Sequence, residues 1–418
     1  MLQTVIKRLR SWAIFIGLCV ALAFLVKAYV LSGYTIPTDS MEPTLYGDRS
    51  RGDRVAVFKL HYRFFDPQRF DLVVFSIEKE RLEEPGLGVS PDPGRVEMVK
   101  RIVGCAGESI MLRDGDIFLG EQVPRLYRKS LAQMKRQLIP VYRSAFDASF
   151  AADWEPLTVR SPEVKVDTEA WSRGWQVEGG ACFCRGTRRE LAGRDVGLTF
   201  KRELEDGYFD EEGRYRPGSF TVRDVALTLE CELLGGQGYL FGQIREGADC
   251  FTFELNTSEG SEEGRGGGRL IHNFGDPIVR TIEPDLFRGL QPGQQVKIVF
   301  LNIDNQVMLI CDERVLIHYA YDDNTPFHSA SLFNRPTFGT CGLDVRFDAV
   351  DIDRDIHYTE LGRFARGEPY TIPPDSFFVL GDNSSISGDS RNFGPISRDR
   401  IGGRPLLVFY PPDRIRFL

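Results

Sequence analysis

Ser40 stands between two prolines in the stretch Ile36-Pro37-Thr38-Asp39-Ser40-Met41-Glu42-Pro43-Thr44-Leu45. Proline fixes its own φ and presses the preceding residue toward extended geometry, so this serine is presented from a stiff loop. A serine hydroxyl is a weak nucleophile until a base takes its proton. The five histidines are His61, His272, His318, His328 and His357, and all lie outside the motif-like stretches. A Ser-His-Asp arrangement is therefore not indicated. Lys100 is the alternative base. It sits in Val96-Glu97-Met98-Val99-Lys100-Arg101-Ile102-Val103-Gly104, an apolar strand pattern in which a lysine is unusual. Burial disfavours the charged amine and lowers its pKa from about 10.4, whereas arginine stays charged. A third stretch, Gly381 to Ile396, is dense in Ser, Asp and Asn and carries Asp389 and Arg391 two residues apart.

The chain of 418 residues has room for two or three domains. Its net charge of −8 argues against a nucleic-acid binder, which would usually carry a basic face. Eight cysteines are too few for a disulfide scaffold. The 42 glycines and 23 prolines punctuate the chain as turns, so the expected fold class is mainly β. The glycine-rich tip Ser258 to Arg269 lacks a following Lys-Ser/Thr, which argues against a phosphate loop. No cofactor and no metal are called for.

The elements that must position these residues follow in order. Lys7, Arg8 and Arg10 precede a run from Trp12 to Ile36 whose one charge is Lys27. That length suffices to cross a bilayer, and the positive-inside rule puts the N-terminus in the cytoplasm. The expected organisation is a basic tail over 1–10, a transmembrane anchor over 11–33 and a first part of a β domain over 34–125. A linker over 126–153 leads to an inserted β-sandwich over 154–358, and 359–418 completes the β domain. Val55 and Val57 alternate in a half-buried strand, Asp71 to Phe75 is an apolar run of strand length, and Asp114-Gly115 marks a hairpin turn. From Trp154 to Tyr358 short strands and turns recur at even spacing, the pattern of an antiparallel sandwich or jelly roll. The alternating Asp351, Asp353 and Asp355 read as an outward acidic face, with a calcium site as the alternative. Cys105 reads as a buried structural thiol rather than a nucleophile. Cys182, Cys184, Cys231, Cys250, Cys311 and Cys341 mostly fall on strand-like stretches and read largely as core, with disulfides there left open.

The ordered blocks Ser40-Met41-Glu42-Pro43-Thr44, Gly52-Asp53-Arg54-Val55-Ala56-Val57, Lys100-Arg101-Ile102-Val103-Gly104 and Gly381-Asp382-Asn383…Asp389-Ser390-Arg391, behind an N-terminal anchor, resemble the type I signal peptidase family. The resemblance covers residues 1–125 and 358–418. It implies a signal-peptidase-type antiparallel β domain and a membrane-anchored serine endopeptidase that removes N-terminal signal peptides by a Ser/Lys acyl-enzyme mechanism. Ser40 would be the nucleophile and Lys100 the general base. Thr38 and the Ser40 N–H would hold the oxyanion, Ser387 would orient the lysine, and Asp389 and Arg391 would form a supporting ion pair. The implied partners are preprotein signal peptides with alanine-like residues at the first and third positions before the cut, and the lipid bilayer. The implied place is the bacterial cytoplasmic membrane, single-pass, with the catalytic domain on the outer face. The insert weakly resembles concanavalin-like sandwich domains, and its ligand is left open. Thr38-Asp39 departs from the Ser-Gly of well-known members, as does Ser384-Ser385-Ile386 from a more polar run. A competing reading is a surface carbohydrate- or peptide-binding protein that uses the sandwich on an inactive scaffold. A self-cleaving regulator lacks the DNA-binding segment it would need.

Overall fold

The computed structural model describes residues 12–19, 30–48, 51–81, 94–147, 149–157, 174–191, 193–258, 267–273, 276–322 and 334–418. The chain is mainly β and divides into two units, residues 1–127 with 357–418, and residues 128–356.

The first unit is built on an antiparallel sheet. Strands β1 (Leu31–Thr35), β2 (Arg54–Phe58), β3 (Leu72–Glu78) and β4 (Arg95–Gly104) come from the N-terminal part. The strand Ile401–Tyr410 inserts between β2 and β3, and Ser376–Leu380 pairs with the other side of β4. The sheet therefore closes only when the last sixty or so residues return. One apolar cluster joins Val73, Phe75, Ile77, Val96 and Ile102 to Phe377, Val379 and Phe393. Another joins Ile36, Met41 and Leu45 to Val55, Val57, Leu72, Val74 and Val408. The alternation of partners follows the period-2 pattern of β3, whose odd and even residues feed different clusters.

The expected membrane span is only partly described. Residues 12–19 are helical, and residues 1–11 and 20–29 lie outside the described residues. Among the described residues no helix is long and apolar enough to cross a membrane. The apolar run to Ile36 is not one helix. Leu31–Thr35 is β1, hydrogen-bonded to β2 with Tyr34 opposite Val55, and alternately exposed and half-buried. Strand pairing suits this stretch because Gly33 is a poor helix former, the β-branched Thr35 and the aromatic Tyr34 favour strands, and β2 offers an edge to pair with.

A small sheet explains how the chain accommodates its second unit. Strands β5 (Ser109–Arg113) and β6 (Asp116–Leu119) form the expected hairpin, with Asp114 at φ 60° and Gly115 at φ 98°. Two positive φ values suit the twist of a tight hairpin. β7 (Arg125–Leu126) pairs with β6, and the Tyr127 N–H donates to Ile117 O at 2.8 Å. When the chain returns, the Tyr358 N–H donates to Gly115 O at 2.9 Å. Tyr127 and Tyr358, the first unit's residues that flank the second in sequence, thus both donate to backbone carbonyls of this one hairpin.

The second unit is an antiparallel assembly around the long strands Val225–Glu246 and Thr337–Arg354, which pair along most of their length. Its core holds Trp154, Phe200, Phe251, Phe253, Phe300, Phe338 and Phe347. The expected linker over 126–153 is a correction: it is part of this unit from Arg128 onward. The helix Leu131–Gln137 starts with a capping box at Ser130 and Gln133 and buries Met134 against Ala226, Leu301 and Ile310. The strand Ile139–Arg143 pairs with Asp351–Arg354. The basic Lys135 and Arg136 mark the exposed side of an amphipathic turn.

The acidic face expected at Asp351, Asp353 and Asp355 is also corrected. Asp353 is buried and pairs with Arg143, and Asp355 is 1% exposed and receives Lys129 Nζ at 2.6 Å. A buried carboxylate needs such a partner. Asp304, 1% exposed, receives the same ammonium at 2.6 Å. Cys182, Cys184, Cys231, Cys250 and Cys311 are buried, as a core role requires.

Because both connections anchor on β6 and its turn, a variant with 128–356 replaced by a short Gly/Ser loop is expected to fold. Closing so short a loop costs little entropy. A cooperative thermal transition measured on that variant would bear this out; a molten, non-cooperative profile would contradict it.

Candidate active site

Two sequence-distant elements meet at Ser40. Thr38 is extended (φ −138°, ψ 154°), Asp39–Met41 makes one 3-10 turn, and Glu42 is extended again. Met41 and Leu45, 1% and 0% exposed, pin the turn into the apolar cluster. Burial of each side chain of this size contributes about 1.5–3 kcal/mol. The Leu45 N–H donates to Met41 O at 2.9 Å, and the Gly47 N–H donates to Glu42 Oε1 at 3.2 Å. Asp53, fully buried, accepts from the Tyr46 N–H at 3.1 Å and from Arg414 Nε at 2.8 Å. Ser40 itself is half-buried and Asp39 is exposed.

β4 delivers the lysine. Lys100 lies opposite Val73 in the β3–β4 ladder and is 1% exposed. Its Nζ is hydrogen-bonded to Ser40 Oγ. Burial lowers the Lys100 pKa to about 8; Asp389 and Asp382 pull it upward and Arg391 pushes it down. Near pH 8 the amine is thus neutral in a large fraction of molecules, and a neutral amine has the lone pair a base needs. Thr38 Oγ1 lies 3.3 Å from Ser40 Oγ.

The loop after Ser376–Leu380 frames the pair. The Asn383 N–H donates to Ser40 O at 3.1 Å, and its side-chain amide donates to Asp39 O at 3.2 Å. Gly381 packs so closely that a Cβ there would lie 2.4 Å from Ser40 O and 2.2 Å from Ser387 Oγ. Asp389 and Arg391 form a fully buried ion pair, with Nη2 to Oδ2 at 2.7 Å and Nε to Oδ1 at 2.9 Å. The Arg391 fork also donates to Thr359 O at 2.9 Å, Ser384 Oγ at 2.8 Å and Ser384 O at 2.7 Å. Asp389 also accepts from the Gly381 N–H at 3.1 Å, so the pair sets the path of the loop.

The structure thus brings Ser40, Lys100 and Thr38 together and puts Asp389–Arg391 behind them. Ser387 is buried beside Gly381, but its hydroxyl makes no hydrogen bond, and none reaches Lys100. Sequence reasoning missed a second buried ion pair. Arg101 Nε and Nη2 donate to Asp382 Oδ1 and Oδ2 at 2.8 and 2.6 Å, tying β4 to the loop. The signal was present: an arginine in an apolar strand must find an anion. Cys105 is half-buried, and burial pushes its thiol pKa upward, away from a nucleophilic thiolate.

A serine hydroxyl held against a buried lysine on an antiparallel β scaffold has the arrangement of an acyl-transfer hydrolase. The family model described as "Signal peptidase, peptidase S26" matches residues 9–197 and 291–410, more than half of the chain. The chain belongs to that family. The signal peptidase I of Mycobacterium tuberculosis is 32% identical over 124 residues, which are 25% of this chain and 42% of the relative. The chloroplastic thylakoidal processing peptidase 1 of Arabidopsis thaliana is 34% identical over 104 residues, 25% of this chain and 28% of the relative. The chain spans under half the length of the curated relatives it matches. A solved β-1,3-glucanase from Mycobacterium marinum covers 51% of this chain and 98% of its own at 8% identity, with a TM-score of 0.34 that carries no argument.

Removing the carboxylate from the buried pair leaves Arg391 as an uncompensated buried charge. Asp389→Ala is expected to lower stability by about 3–5 kcal/mol, read from the denaturant midpoint at constant slope. A loss below about 1 kcal/mol, the range of an exposed pair, would contradict the structural role.

Proposed function

We propose that the chain is a serine endopeptidase that removes signal peptides from exported preproteins by a Ser/Lys acyl-enzyme mechanism. The observation that carries this reading is the hydrogen bond between Ser40 Oγ and the Nζ of a lysine that is 1% exposed. Ser40 attacks the scissile carbonyl while neutral Lys100 takes its proton. The tetrahedral oxyanion is held by the Ser40 N–H and Thr38 Oγ1, whose preorganised dipoles act where charge develops. The protonated Lys100 then returns its proton to the leaving amine, and the bond to the mature protein breaks. In the second half, Lys100 takes a proton from water as its oxygen attacks the acyl carbon; collapse breaks the ester bond, Lys100 returns the proton to the Ser40 oxygen, and the cleaved signal peptide leaves with a new carboxyl end. Ser387, with its buried and unpartnered hydroxyl, is the group proposed to steer the lysine once substrate tightens the site. Asp389 and Arg391 hold that loop in place.

The substrates in this reading are preprotein signal peptides with alanine-like residues at the first and third positions before the cut. They dock as an added strand. The N-terminal apolar run serves as the anchor, with the N-terminus in the bacterial cytoplasm and the catalytic unit on the outer face of the membrane. That placement suits a substrate whose apolar segment lies in the same bilayer. The inserted unit takes no part in the chemistry, since Ser40, Lys100, Thr38, Ser387, Asp389 and Arg391 all belong to the first unit.

The sign of the pH dependence follows from the base. Protonated Lys100 is inactive and the neutral amine is active. The rate is therefore low below its pKa, rises with pH and levels off above about 8. Cleavage of a purified preprotein is expected to follow that profile in kcat/KM. Lys100→Arg and Ser40→Ala are both expected to abolish cleavage, because arginine stays charged and alanine has no nucleophile. Wild-type rates in either variant would sink the proposal.

A further inference from the structure

The loop that frames Ser40 carries one residue out of keeping with its neighbours. Asp382, Asn383, Ser384 and Ser387 are buried, yet Ile386 is 60% exposed. Ile386 ends the 3-10 turn Ser384–Ile386, and its N–H donates to Asn383 O at 3.4 Å. Asn383 in turn donates to Ser40 O at 3.1 Å and Asp39 O at 3.2 Å. The clamp on the Ser40 backbone therefore directly precedes this turn, and two residues, Ser384 and Ser385, separate it from Ile386. Leu361, 51% exposed, hangs on the same frame. It lies two residues past Thr359, whose N–H donates to Ser384 Oγ at 2.9 Å, and Gly362 beside it packs against Arg391.

A single exposed aliphatic side chain is ordinary on a protein surface. Here the setting differs. The backbone under Ile386 is fixed by the Asp389–Arg391 pair and the Asn383 clamp, so little ordering entropy opposes contact. Asn383 clamps the turn that carries Ile386 to the turn that carries Ser40, so a polypeptide held at Ser40 lies beside it.

We infer that Ile386, with Leu361 on the same frame, is a specificity-determining residue that contacts an apolar side chain of the polypeptide being cut, within four residues of the scissile bond. The inference rests on the peptidase reading above. It adds a preference for an aliphatic residue at one position other than the two taken by small side chains. Burial of one aliphatic side chain against another favours the matching substrate by about tenfold or more.

The test uses the full-length protein in detergent micelles and a set of quenched-fluorescence peptides built on one cleavable parent. Each carries Leu or Asn at one position, from the fourth before to the fourth after the cut, leaving the two small-residue positions as alanine. The wild-type protein is expected to prefer Leu by about tenfold in kcat/KM at one position. Ile386→Asn should bring that ratio close to one, while Ile386→Val keeps most of it. No position with a Leu preference, an unchanged ratio in Ile386→Asn, or an equal loss on every peptide would each overturn the inference. Ser40→Ala assayed in parallel separates the two levels. If it cuts the peptides at the wild-type rate, the peptidase reading itself fails.

Discussion

The cost of burying a lysine governs this site. An ammonium removed from water without a full counter-ion gives up its proton more readily. Lowering Lys100 from its ordinary 10.5 to about 8 corresponds to on the order of 3 kcal/mol of preference for the neutral amine. That preference depends on a balance. Asp389 and Asp382 pull the pKa upward, Arg391 pushes it down, and each carboxylate is engaged by an arginine, Arg391 and Arg101 respectively. The two arginines therefore hold the loop and pair the carboxylates that lie near the lysine.

The topology makes that balance a property of the completed sheet. β4 supplies Lys100 and Arg101, while Asp382, Asp389 and Arg391 arrive on the loop after Ser376–Leu380, the strand that pairs with β4. The Ser40 turn is fastened from the C-terminal side as well, by Asn383 and by Arg414 through Asp53. Neither half of the first unit contains a working arrangement alone. The chain can nevertheless carry a large second unit between the halves, because the exit and return points sit on neighbouring carbonyls at Ile117 and Gly115. A local detour at that hairpin leaves the ladder between β4 and its partner intact.

What was legible in the sequence is what local pattern encodes. The stiff serine loop, the lysine in an apolar strand, the Asp114-Gly115 hairpin and the β-rich insert all announce themselves through residue type and spacing. Pairings across long separations do not. Arg101 and Asp382 are 281 residues apart, and nothing short of the fold says which acid answers which arginine. The segment around Met134 read as a linker because its exposed basic residues dominate a short helix whose one buried methionine carries little weight in a composition. The end of the apolar run misled in the opposite way. Apolar and small residues from Leu31 to Thr35 suit either a helix end or a strand, and the open edge of β2 decides. The expected Ser387–Lys100 hydrogen bond is absent, while Thr38, whose methyl narrows its rotamers, still places its hydroxyl at Ser40.

The most direct measurement is the titration of Lys100 itself. In protein carrying 13C-labelled lysine, the side-chain resonance missing from Lys100→Arg is assigned to Lys100 and followed from pH 6 to 11 by NMR. The account predicts a midpoint near 8, with the neutral form dominant above it. A midpoint near the ordinary 10.5 would mean that Lys100 stays protonated at Ser40, and it would contradict the claim that burial makes this lysine a base.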